Sequence, residues 1–175
     1  MYYSTDKPVG LLILVKTAAG NVVNRNVYRS TWANAKYLSK FDMPIVHSFL
    51  IGTGQFPSGK IPEKLMTESK EHGDIIFEDF IETYRNNTFK TFGGFKWALE
   101  VGPKFEFLLM IDDDIYLSIE QAVRFLRQPQ LFGVSIETKQ AEIVSKYGIK
   151  IPADESFYAG YPVGGYDTYM PIRKL

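Results

Sequence analysis

A chain of 175 residues with 45% hydrophobic and 15% aromatic content has the composition of one globular domain and can bury a real core. Lys+Arg and Asp+Glu balance at 20 each, so net charge gives no reason to expect a nucleic acid or an anionic membrane as partner. The absence of cysteine excludes disulfides, thiolate metal sites and a cysteine nucleophile. The longest apolar run near the start, Leu11 to Val15, falls far short of the ~20 residues that span a bilayer, and Met1 to Asp6 lack the basic start and apolar stretch of a signal peptide.

In chain order, Val9 to Lys16 reads as a strand buried on both faces. Asn24 to Ser39 follows with helical character, Asn24 serving as N-cap. Pro44 to Gly52 is a second buried strand, Gln55 to Gly59 a loop, and Ile61 to His72 a helix that Gly73 stops. Asp74 to Phe77 is a short third strand, and Thr83 to Gly102 a longer helix in which Gly93-Gly94 argue against the middle. Phe105 to Ile111 is the strongest strand and runs into three aspartates. Ile119 to Leu126 is a helix closed by Pro129, and Val134 to Ile136 one further strand. From Tyr158 the sequence is rich in Tyr, Gly and Pro and reads as loop or edge. Alternating strands and helices imply an α/β fold with a mostly parallel sheet covered on both faces.

The chemistry concentrates at Asp112-Asp113-Asp114, since ligands of open α/β sheets bind beyond the carboxyl ends of the strands. Alternation along an extended chain puts Asp112 and Asp114 on one face. Two carboxylates there suit a hard divalent cation such as Mn²⁺ or Mg²⁺; the plain alternative is a solvated acidic turn. Arg25 and Arg29, spaced i,i+4, share a helix face just after the first strand, where a phosphate would meet them; equally, they are surface arginines beside a core tryptophan, Trp32. Asp74, Asp79 and Lys90 lie in a third block, Gly73 to Thr91, whose acidic helix start also satisfies the helix dipole without any function. Asn86-Asn87-Thr88 fits the N-glycosylation pattern, and His47 and His72 are too few for a zinc site. There is no G-x-S-x-G elbow and no P-loop.

Together and in this order, RNVYRSTW, GDIIFEDFIETYRNNTFKT and FLLMIDDDIYL resemble the blocks of glycosyltransferase family 31, the β-1,3-galactosyltransferase and N-acetylglucosaminyltransferase group. The family patterns are R-x-x-I-R-x-T-W, then G-D-I-I-x-x-D-F-x-D-x-Y-x-N-L-T-x-K-T, then an apolar strand ending in D-D-D. Tyr28 replaces the usual Ile, Glu82 an Asp and Asn87 a Leu. The resemblance implies a fold of the nucleotide-diphospho-sugar transferase (GT-A) type: a partial domain over 1–175, with the nucleotide-sugar part in 9–126 and a divergent or truncated acceptor side in 133–175. It implies a UDP-sugar donor, Mn²⁺ or Mg²⁺, and transfer of galactose or N-acetylglucosamine to a glycan hydroxyl in β-1,3 linkage with inversion, in protein glycosylation.

By position, Asp114 and Asp112 would hold the metal, and Asp112 and Asp113 the metal or the ribose end of the donor. Arg25 and Arg29 would lie near the nucleotide, and Asp74, Asp79, Tyr84 and Lys90 would build the donor pocket. The family works in the Golgi lumen behind an N-terminal membrane anchor, which this sequence does not contain. Its catalytic base lies in an E-D-V-type block after a Y-P-P-Y…G-G-Y segment. Tyr161 to Tyr166 or Tyr166 to Pro171 is the nearest approach to that segment, no E-D-V block occurs, and Asp154 and Glu155 have no base-like context. Two readings stay open: a UDP-sugar-dependent glycosyltransferase, and a UDP-sugar and metal-binding remnant that transfers nothing. A phosphotransferase or phosphatase is disfavoured because Val9 to Lys16 contains no aspartate nucleophile.

Overall fold

A computed structural model describes residues 9–128. The chain divides into two compact units after Val123, and the sheet lies wholly in the first. Four strands, β1 (Val9–Lys16), β2 (Ile45–Gly52), β3 (Ile75–Glu78) and β4 (Phe105–Asp112), form a sheet in the order β3-β2-β1-β4. Every pairing is parallel, as the helix-strand alternation requires. The apolar run of β1 is central because it is paired on both sides and covered on both faces; Leu11 to Val15 are essentially enclosed. Its register sets Lys16 beside Asp112, so the ends of β1 and β4 meet where the aspartates begin.

Helices α1 (Val22–Ser30), α2 (Ala35–Leu38), α3 (Glu63–His72), α4 (Asn87–Glu100) and α5 (Ile119–Arg127), with two short 3-10 turns at Pro57–Gly59 and Tyr84–Asn86, complete the described elements. On one face Leu12, Leu14 and Leu50 pack with Ala98 of α4. On the other, Tyr28 of α1 packs against Phe49 with ring centroids 6.3 Å apart, and the Arg29 guanidinium lies 5.1 Å from the Phe49 ring centre. The expected Val134–Ile136 strand, the 133–175 part, and Asp154 and Glu155 lie outside the described residues.

The helix expected over Asn24 to Ser39 is two helices, and polar side chains account for the break. Ser30 and Thr31 hydroxyls donate to the Val27 carbonyl, competing with the backbone ladder. Asn34 then accepts from the amides of Lys36 and Tyr37 and caps α2. Asn24 is inside α1 rather than at its cap, which is Asn21. Gly73 ends α3 as expected, in the left-handed region with φ 66°. The segment Thr83 to Asn86 stays out of α4 because the Asn86 side chain and amide bond to Ile81 and Thr83 instead. Gly93-Gly94 prove to be contact glycines: a Cβ on Gly94 would collide with Leu50 and Met110, so their absence lets α4 lie close to the sheet.

A buried ion cluster ties α1 to α3 and β3. Arg25, fully enclosed, makes a two-bond fork with Glu68 of α3 at 2.7 Å for each bond. Arg29 shares Glu68 at 2.8 Å and forks onto Asp74, just before β3, with two bonds of 2.8 Å. His47 of β2 adds its Nε2 at 3.4 Å from Asp74. Burial alone would raise both carboxyls, but the arginine bonds, with His47 at Asp74, outweigh it. Asp74 is held far below the usual carboxylate range and Glu68 is lowered too.

Two outcomes test this framework. A Cβ on Gly52 would stand 2.7 Å from the Phe80 carbonyl oxygen, whereas one on Gly20 meets nothing within 4 Å. Gly52→Ala should therefore cost about 1–3 kcal/mol in urea unfolding, with Gly20→Ala within about 0.5 kcal/mol of wild type; equal effects would refute the close approach. Glu68→Ala strands the enclosed Arg25 charge and should cost about 3–5 kcal/mol. Because the folded carboxyls titrate below their unfolded values, their stabilisation is complete above about pH 5 and is lost as pH falls towards the folded values. Asp74→Asn should flatten that acid limb, and an unchanged slope would argue against the cluster.

Candidate functional site

The carboxyl ends of β1 and β4 gather most of the functional candidates. Alternation along β4 stops at Asp112, its last residue, so Asp113 and Asp114 belong to a turn and the expected shared face does not follow from strand geometry. Asp112 is half exposed and pairs through Oδ1 with Lys16 at 3.0 Å. The Asp113 carboxylate accepts from the Thr17 hydroxyl and from Asn21 Nδ2 at 2.8 Å, and its carbonyl accepts from Asn24 Nδ2 at 3.1 Å. Asp114 is exposed, with no hydrogen bond or ion pair among the described residues. Asn24, expected as a helix cap, and Asn21 thus hold the aspartate turn.

Tyr28 also holds that turn. Its hydroxyl donates to the Ile115 carbonyl at 2.6 Å and accepts from the Ile115 amide at 3.0 Å, so the residue after the aspartates is gripped at both backbone groups. Burial raises the Tyr28 pKa, the Ile115 bond opposes this, and the charges of Asp113, Asp114 and Asp112 add to the rise; the phenol therefore remains a donor.

The loop after β1 carries the other constraint. Arg25 donates to the carbonyls of Ala18 and Ala19 at 2.8 and 3.1 Å. Lys90, buried on α4, donates to the Thr17 carbonyl at 2.8 Å and pairs with Glu82 at 2.7 Å. Glu82 Oε1 in turn accepts from the Gly52 amide at 2.6 Å.

These contacts show what several of the expected residues touch. The guanidinium groups of Arg25 and Arg29 are paired with Glu68, Asp74 and the loop carbonyls of Ala18 and Ala19. Asp74 is forked by Arg29, and Lys90 holds the Thr17 carbonyl and Glu82. Asp79 is exposed in the turn after β3, and the backbone of Tyr84 lies in a 3-10 turn, Tyr84–Asn86. Thr17, Lys16, Asn21, Asn24 and Tyr28 were not singled out by residue chemistry. The register of β1 on β4 is the signal that finds Lys16, and the asparagine pair at the first βα turn is the one that finds Asn21 and Asn24.

Among the described residues no three His, Cys, Asp or Glu side chains converge as a metal cage. What the turn does offer is an open carboxylate, Asp114, beside a half-exposed one, Asp112, both oxygen donors. That set fits a hard cation such as Mg²⁺ or Mn²⁺, which takes one or two protein carboxylates and fills its shell with water and phosphate oxygens. A cavity of about 420 Å³ lined by Leu38, Met43, Pro44 and Val46 lies at the opposite, amino end of β2. Ligands of parallel sheets bind at the carboxyl ends, so this apolar hollow is not the aspartate site.

Comparison with known proteins identifies the family. A family model described as Galactosyltransferase matches residues 23–170. The β-1,3-galactosyltransferase brn of Drosophila melanogaster is 37% identical over 133 residues, covering 72% of this chain and 39% of that protein. Lactosylceramide 1,3-N-acetyl-beta-D-glucosaminyltransferase of Mus musculus is 33% identical over 126 residues, 71% of this chain and 34% of that protein. The B form of the same-named Xenopus laevis enzyme is 34% identical over 173 residues, 94% of this chain and 45% of that protein. The chain therefore spans less than half the length of these relatives. A parallel α/β sheet, an aspartate turn at its carboxyl edge and a match over most of the sequence place this chain in the galactosyltransferase family, glycosyltransferase family 31.

Proposed function

We propose that the chain is the donor-binding part of a UDP-sugar-dependent β-1,3-hexosyltransferase that moves galactose or N-acetylglucosamine to a glycan hydroxyl with inversion. The observation that carries this reading is the aspartate turn. In it Asp113 is fixed by Thr17 and Asn21 and Ile115 is clasped by Tyr28, while Asp114 is left open at the carboxyl edge of a parallel sheet. Such fixed backbone and free charge suit a site that must receive a ligand without rearranging. Asp114, with Asp112, would hold Mn²⁺ or Mg²⁺, which when bound supplies charge neutralisation for a departing diphosphate. Lys16 limits the negative charge at Asp112, and Asp113, held through its Oδ2 by Thr17 and Asn21, keeps the turn in register.

The acceptor proposed is a glycan, and the names of the relatives from mouse and frog point to a lipid-linked one; this sits beside the protein glycosylation expected from the family at large. Work in the Golgi lumen belongs to the same proposal. Among the described residues no helix is long and apolar enough to cross a membrane. The acceptor hydroxyl needs a general base within hydrogen-bond reach, and no described residue is assigned that role.

Calorimetric titration of UDP with and without Mn²⁺ tests the donor site. Binding should require the metal and fall below detection in an Asp112→Ala/Asp114→Ala variant. Binding by the folded wild type that is absent under every metal condition would remove the proposal, and metal-dependent binding without sugar transfer would select the non-catalytic reading. Tyr28→Phe removes both bonds to Ile115. It should weaken metal-dependent binding about tenfold, as loss of an orienting partner does, and cost about 1–2 kcal/mol of stability; unchanged affinity would mean the clasp does not position the turn.

A further inference from the structure

Next to the aspartate turn lies a cluster whose charges do not balance. Glu78 ends β3, and both of its carboxylate oxygens are enclosed with no hydrogen-bond partner. Helix α4 presses so near that a Cβ on Gly93 would collide with this carboxylate, which leaves no room for a solvating shell. The charged groups facing it are Lys90 of α4 and Glu82 of the segment after β3. Neighbouring β2 presents only uncharged Gly52 and Thr53, and the adjacent Asp79 is exposed.

One ammonium therefore serves two carboxyls, and it is already committed. Lys90 Nζ is 2.7 Å from Glu82 and 2.8 Å from the Thr17 carbonyl. An enclosed carboxylate with neither a partner nor solvent is costly, and the economical state is the protonated one. Burial is the main cause, Lys90 opposes it and Glu82 adds to it; together they push Glu78 up to about 7.

The Thr17 carbonyl links this cluster to the aspartates. Its residue is held by Lys90 through the backbone, and its hydroxyl donates to Asp113. We propose that Glu78 is a positioning residue for the aspartate turn, acting through Lys90 and Thr17. Protonated, Glu78 leaves the ammonium with Glu82 and the Thr17 carbonyl. Ionised, it draws the ammonium towards itself, loosens Thr17 and with it the Asp113 contact. The balance is one proton exchanged with solvent and no covalent change. The proposal rests on the donor-site reading for its functional meaning, though not for its physical test.

The sign of the effect on stability follows from linkage. The folded protein holds this proton more tightly than the unfolded chain. The contribution is thus full below the unfolded carboxyl value and declines as pH rises through about 7.

The test is an NMR titration of the whole chain from about pH 5.5 to 8.5, a window chosen to bracket the folded value. It follows the Glu78 carboxyl carbon and the amides of Thr17, Gly52 and Asp113. The expected result is one shared midpoint near 7, with the amide shifts abolished in Glu78→Gln. That variant keeps the shape of the protonated acid and cannot ionise; the carboxyl signal of the wild type needs no variant at all. A Glu78 midpoint in the ordinary carboxylate range overturns the proposal, and so does a midpoint near 7 that leaves Thr17 and Asp113 unmoved. UDP titration with Mn²⁺ at pH 6 and pH 8 (flanking values taken about one unit either side) should show weaker binding at the higher pH in wild type and none of that loss in Glu78→Gln. UDP that fails to bind at either pH sinks the donor-site reading, while the amide titration still decides the role of Glu78.

Discussion

The described fold depends on two buried cations that hold one loop from opposite sides. Arg25 reaches the carbonyls of Ala18 and Ala19 from α1, and Lys90 reaches the carbonyl of Thr17 from α4. A buried cation is tolerable only when it is paired and its protons are satisfied. Glu68 meets the first and Glu82 the second, so each carboxylate is as much a part of the loop as the residues in it. The loop after β1 is thereby tied to α1, α3, α4 and the segment after β3. This gives a connection that would otherwise be free the rigidity of the sheet itself.

That rigidity passes to the aspartates through side chains that lie in or just after the loop. Lys16 pairs with Asp112, while Thr17 and Asn21 both donate to the Oδ2 of Asp113. Three adjacent carboxylates in water repel only modestly; in a partly enclosed turn the repulsion grows, and each must find its own compensation. Asp112 finds an ammonium and Asp113 finds two hydrogen-bond donors. Asp114 finds neither among the described residues, so the turn keeps one uncompensated charge at the place where the sheet is open. The inner two charges build structure and the outer one is exposed.

The strands β1 and β2 were legible in the sequence because burial leaves a continuous apolar run, whereas β4, which reads as the strongest strand, lies at the edge of the described sheet and is only partly buried. The strand-end aspartates were legible because they follow its apolar run. Residue directions were harder. The spacing of Arg25 and Arg29 correctly places them on one helix face, but spacing cannot say whether that face looks outward to a phosphate or inward to Glu68. That depends on α3, whose Glu68 is 43 residues from Arg25. Asn21 and Asn24 carry strong helix-start propensities, and the competing partner that claims them, Asp113, is 92 and 89 residues away in sequence. Gly93-Gly94 read as a weakness of the helix because propensity counts backbone entropy and not the sheet that the missing side chains let in.

The departures from the family pattern are also explained by partners rather than by propensity. At position 82 the pattern has Asp and this chain has Glu. One Glu82 oxygen meets both the Gly52 amide at 2.6 Å and the Lys90 ammonium at 2.7 Å, bridging the end of β2 to α4. At position 28 the pattern has Ile, which could fill the same space beside Trp32 and Phe49, but only a phenol can also reach the Ile115 amide and carbonyl. Asn87, by contrast, is exposed at the start of α4, where a change from Leu removes apolar surface from water and little else. Two of the three substitutions thus fall on contacts that reach the aspartate turn, Tyr28 directly and Glu82 through Lys90 and Thr17. Tyr28 adds a hydroxyl that Ile lacks, whereas Glu82 keeps the carboxylate and carries it one methylene further. Each contact has its own structural ground: the buried Lys90 requires a carboxylate partner at position 82, and Tyr28 satisfies both backbone groups of Ile115.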